Sequence, residues 1–137
     1  MKYIAGFFVV ASLMITSECV GNTVKYPAPV DIRVRLKSDK NLGYLNGSLA
    51  VNNPGEKVWL IQSWLEDADN KHYQYVYPPL ARIEPNGSVN LKVYFNTSNG
   101  KYIPEWLYVK FIPTKEKLIK NGLVFPVTYK LKVFTDK

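Results

Sequence analysis

Along much of this chain apolar and polar residues alternate with a period of two. Val30, Ile32, Val34 and Leu36 alternate with Asp31, Arg33, Arg35 and Lys37. That period puts the apolar set on one face of an extended strand, so a half-buried strand is expected over residues 30–37. Residues 38–47 carry Asn-Leu-Gly and Asn-Gly and read as a loop, followed by a short strand over 48–52. Asn53-Pro54-Gly55 then makes a turn. Residues 58–65, VWLIQSWL, are apolar on both faces, as a central strand of a two-layer core would be. After a polar loop, residues 72–77 alternate weakly and stop at Pro78-Pro79, which cannot continue a central strand. In residues 88–95, Val89, Leu91, Val93 and Phe95 point one way. Residues 105–112 form a second two-faced apolar strand, ended by Pro113, and residues 114–121 a charged loop.

The last stretch, residues 123–134, alternates over an unusual length. Leu123, Phe125, Val127, Tyr129, Leu131 and Val133 share one face. At ~3.3 Å per residue it spans roughly 36–40 Å, about twice the usual strand. Pro126 cannot donate to a ladder, which confines it to an edge, a strand start or a bulge. Two readings are open: a final core strand with a proline bulge, or an edge half over 123–127 joined to a paired half over 128–134. In the second, the exposed edge awaits a partner strand. Pro126 falls on the even side, which leaves the odd-side amides as the expected donors to that partner.

Seven short strands, with turn signals between them and no helical period, are the profile of a seven-stranded immunoglobulin-like β-sandwich. Trp64 is the expected buried tryptophan. Residues 22–137 read as this one domain. Residues 1–21 stand apart: Lys2, an apolar run from Ile4 to Ile15, then mostly small residues, which is the pattern of a secretory signal peptide. Cleavage after Cys19 or after Gly21 fits, and Glu18 argues against lipid modification of Cys19. That cysteine is the only one among 137 residues, so the domain is expected to be disulfide-free.

The formal charge of +7 favours acidic partners, and export makes nucleic acid the least suitable of these. Catalytic chemistry is poorly supplied. His72 is the single histidine and reads as a solvated loop residue; no second one is available for a metal site. Glu66, Asp67 and Asp69 lack the glycine and distal glutamate of a calcium loop. No enzyme, cofactor, metal or small-molecule substrate is expected. A binding protein with a long apolar strand remains.

Three segments, in order, carry a resemblance. They are Asn53-Pro54-Gly55-Glu56-Lys57 with Gln62-Ser63-Trp64-Leu65-Glu66-Asp67, then Pro78-Pro79-Leu80-Ala81-Arg82-Ile83-Glu84-Pro85, then residues 105–113. Together they resemble the N-terminal immunoglobulin-like domain of periplasmic pilus and fimbrial assembly chaperones. The resemblance implies a periplasmic chaperone that binds and caps pilin subunits by donor-strand complementation, with an outer-membrane usher as a further partner. It implies that Leu123, Phe125 and Val127 fill a subunit's open groove. It also implies that Lys132 and Arg33, with Arg35 as second choice, anchor the subunit's terminal carboxylate. Family members carry a second sandwich of similar size, and this chain stops at Lys137, where that domain is expected to begin. The alternative is an exported single-domain binding or adhesive module, or a truncated remnant, that no longer handles subunits.

Overall fold

The structure, a computed structural model, describes residues 24–97, 103–115 and 124–136. The proposed signal segment and Leu123 lie outside them. Among the described residues ten strands run in order: β1 Ala28–Pro29, β2 Arg33–Asp39, β3 Tyr44–Asn52, β4 Trp59–Glu66 and β5 His72–Tyr73. They continue with β6 Val76–Tyr77, β7 Leu80–Ile83, β8 Ser88–Asn96, β9 Trp106–Pro113 and β10 Val127–Thr135. The architecture is all-β, as the alternation predicts, with an immunoglobulin-like curl. With one cysteine in the chain, no intrachain disulfide can form.

The strand count rises from seven to ten because short pieces change sheets. The segment read as one strand over 72–77 splits: β5 pairs with β4, whereas β6 pairs with β8 on the opposite layer. After the two prolines the chain returns to β4 as β7, a strand that the proline stop signal concealed. Strand β3 also begins earlier than expected, at Tyr44, because its whole length pairs with β8.

The first strand divides in the same way. Residues 33–36 of β2 pair in parallel with residues 132–135 of β10, whereas residues 37–39 pair antiparallel with β3. One layer is therefore β1, the end of β2, β3, β8 and β6. The other is β5 and β7 flanking β4, then β9, β10 and the start of β2. Gly47 makes the crossing possible, since a Cβ there would sit 2.7 Å from the Arg35 carbonyl oxygen and 2.8 Å from Leu36 Cδ2. A side chain would have to push β2 off β3. Val30 and Ile32, expected to be half buried, are 63% and 74% exposed because the chain is not yet in β2 there.

Between the layers lie Val34 and Leu36 of β2, Leu49 and Val51 of β3, Trp59, Ile61 and Leu65 of β4, and Leu91 and Val93 of β8. Leu107, Val109 and Phe111 of β9 and Leu131 and Val133 of β10 complete it. The odd residues of β4 face inward, so Trp59 is the buried tryptophan. Trp64, expected in that role, is on the outer face and only partly covered, stacked on Tyr108 at 5.3 Å.

The predicted turn after β3 is built around Asn53, a polar residue only 1% exposed. Its Nδ2 donates to the carbonyls of Lys57 (2.6 Å) and Glu84 (3.0 Å), and its Oδ1 accepts from the Gly55 amide (3.2 Å). Asn53→Ala would remove all three bonds at once and leave the buried Gly55 amide without its acceptor. We expect a loss of about 2–3 kcal/mol, read from the urea unfolding midpoint.

Candidate functional site

The site is an unfinished sheet edge with two cations at its end. One side of β10 is used by β9 from Val127 to Lys132. Among the described residues the other side is used only by β2, and only from Lys132 onward. Residues 127–131 therefore have an unpaired outer side among the described residues, an edge of roughly 16 Å at ~3.3 Å per residue.

The amides on that edge belong to even-numbered residues. Val133, an odd residue, donates to the Glu105 carbonyl at the head of β9 (3.0 Å), and Asp136, an even one, donates to Leu36 of β2 (3.0 Å). Alternation along an antiparallel ladder then directs odd backbone groups to β9 and leaves Thr128 and Lys130 for a newcomer. This reverses the expectation that odd amides would be the free donors. Pro126 lies on the open side, just ahead of the strand, where its missing N–H breaks no existing ladder.

Side chains divide the other way. Odd residues point between the layers, and Leu131 and Val133 are buried there. Val127 and Tyr129 are half covered at the mouth of the sandwich, with Tyr129 edge-on to Phe111 at 5.7 Å. Phe125 precedes the strand and is 58% exposed. The expected donor half is thus irregular over 124–126, and regular pairing begins at Val127. Leu123 is outside the described residues.

Arg33 and Lys132 are brought level with each other. They are register partners across the parallel β2–β10 pair, which places both side chains on the outer face of the same sheet. Arg33 lies over the Phe134 ring, 5.5 Å from its centroid. Arg35, the second choice, is turned away to Asp136 at 3.8 Å. Around Arg33 an open depression is lined by Asp31, Arg35, Phe134, Thr135 and Asp136.

Lys132 already has company that the sequence did not announce. Its Nζ is 3.0 Å from Glu105 Oε1 and 4.6 Å from the Trp106 ring centroid. Lys130 lies along the same ring at 4.3 Å. Cations over an indole face are attracted by its quadrupole, so both lysines lie along β9. Glu105 and Trp106 open the third quoted motif, but only the β9–β10 register sets them beside Lys132.

His72 also differs from expectation. Its Nε2 meets Glu66 Oε2 at 3.0 Å, and Glu66 is nearly buried, held further by the Tyr108 hydroxyl at 3.4 Å. Nearby, partial burial first and the Asp67 carboxylate second hold the Tyr73 phenol above its ordinary pKa. Among the described residues no group of three His, Cys, Asp or Glu side chains could hold a metal ion.

Residues 29–136 match the family described as pili and flagellar-assembly chaperones, PapD N-terminal domain. The chain is 36% identical to the protein FasE of Escherichia coli over 133 residues, covering 97% of this chain and 99% of FasE. It is 30% identical over 110 residues to the chaperone protein FimB/FhaD of Bordetella pertussis, covering 69% of this chain and 45% of that protein. In fold it is similar to the SafB chaperone of Salmonella enterica, solved in complex with the SafA pilin. That likeness has a TM-score of 0.63 at 22% identity, over 84% of this chain and 56% of the other. The chain thus spans nearly all of FasE, but only about half of the other two.

Proposed function

Because this chain belongs to the PapD N-terminal domain family of pilus-assembly chaperones, we propose that it caps pilin subunits by lending them the open edge of β10. The observation that carries this reading is the position of β2. It fills the edge of β10 only from Lys132 onward and runs parallel to it. A partner strand on residues 127–131 must therefore end, or begin, against Arg33.

Charge selects between those directions. A strand parallel to β10 brings its C-terminal carboxylate to Arg33 and Lys132, whereas an antiparallel one brings an ammonium to two cations. Charge-assisted bonds from cations to a carboxylate are short and strong, and the opposite arrangement repels. The reading thus takes the partner as a parallel strand with a free C-terminus. Thr128 and Lys130 supply its backbone bonds, and Leu123, Phe125 and Val127 supply apolar cover.

The family is one of non-enzymatic pilus chaperones, and this chain acts by pairing rather than by chemistry. Residues 1–21 direct it to the periplasm, and an outer-membrane usher is its downstream partner. Co-expression with a candidate pilin subunit should yield a complex that survives periplasmic extraction and affinity purification. Recovery of the chain alone, while the subunit is present and intact, would overturn the proposal.

A further inference from the structure

We infer that Glu105 is an internal occupant of the carboxylate anchor, and that it must release Lys132 before a partner's terminal carboxylate can bind there. This rests on the strand-lending reading above. A glutamate side chain ends in the same group as a peptide chain, so Lys132 already holds a copy of the proposed ligand, at 3.0 Å. Glu105 is delivered by firmly placed backbone. Its amide donates to the Glu66 carbonyl (2.9 Å), and its own carbonyl accepts from Val133 (3.0 Å). The carboxylate is therefore presented at a fixed point beside the lysine.

The bond is also exchangeable. Its two side chains are 38% and 35% exposed, so water can solvate each when they part. Partly exposed pairs of this kind are weak. Arg33 differs: Asp31 Oδ1 accepts from its backbone amide at 3.2 Å, but among the described residues its guanidinium forms no ion pair and lies over the Phe134 ring. The two cations are thus unequal: Arg33 is open to an incoming carboxylate, and Lys132 is reached by displacement. Glu105 also lowers the charge of the trio to +1, which limits repulsion between neighbouring cations while the edge is empty. Binding becomes an exchange of one carboxylate for another, and the specificity of the anchor depends on the residue it displaces.

The test uses the full chain as wild type, Glu105→Gln, Lys132→Ala and the double variant. The probe is a peptide of alternating valine and threonine long enough to span the open edge, made with a free C-terminal carboxylate or a C-terminal amide. Binding is followed by tryptophan emission, which Trp106 beside the lysine makes informative. Glu105→Gln should bind the free acid roughly two- to fivefold tighter than wild type, with the amide unchanged. In the double variant that gain should vanish. Equal tightening of acid and amide, no change for either, or a gain that persists without Lys132 would each overturn the inference. A different pattern would sink the anchor reading beneath it: acid and amide bound alike, or not at all, by every variant, Lys132→Ala included.

Discussion

Lys132→Ala should weaken a subunit complex by about 2–5 kcal/mol, roughly 30-fold or more in Kd, while leaving the free protein almost as stable as before. The asymmetry has a physical cause. In the free protein the lysine is partly exposed, and its bond to Glu105 is screened by water, so removing it costs ~0.2–1 kcal/mol of stability. In the complex an added strand covers the edge, and the partner's carboxylate loses its water. Taking away one cation then leaves a covered charge with Arg33 alone, and Glu105 beside it becomes a repulsive neighbour. Isothermal titration with a purified subunit measures the first quantity and urea unfolding the second. Binding within twofold of wild type would mean that the edge alone carries the affinity. A subunit whose C-terminus is amidated should reproduce the loss with wild-type protein, since it removes the same contact from the other partner.

Phe111→Ala should destabilise the domain by about 3–5 kcal/mol, the usual cost of emptying a buried phenylalanine site. Phe111 is fully buried in β9, between Ile61 of β4 and Val127 of β10 in register, and its ring meets Tyr129 edge-on. It therefore supports both the core and the start of the open strand. Domains of this size have about 5–15 kcal/mol in all, and here no disulfide adds to the core. The urea midpoint should fall steeply with little change in slope. Subunit capture at low temperature should fall as well, because β10 loses its packing where pairing begins. A loss below ~1 kcal/mol would show that neighbouring side chains collapse into the space.

The alternation of Val34 with Arg33 and Arg35, and of Leu131 and Val133 with Lys132, was sufficient to predict extended strands with cations outward. A period-two pattern reports which side of a strand is wet, because burial acts on each side chain separately. Turns such as Asn53-Pro54-Gly55 were legible for a similar reason, since their backbone demands are local. The pattern does not say which strand lies beside which. Pairing joins residues far apart in the chain and is decided by packing. That is why His72–Tyr73 and Val76–Tyr77 separate onto two layers, and why Trp59 rather than Trp64 became the buried tryptophan.

For the site, the sequence alone supplied the apolar odd set of β10, the proline ahead of it and the two candidate cations. The tertiary structure decided what they can do. Only the parallel register of β2 makes Arg33 level with Lys132 and, among the described residues, leaves 127–131 open on that side. Only the register of β9 turns the odd amides inward to that strand and brings Glu105 to the lysine. Backbone direction and ionic partners follow from neighbours that the chain meets after folding, so no local signal could have carried them.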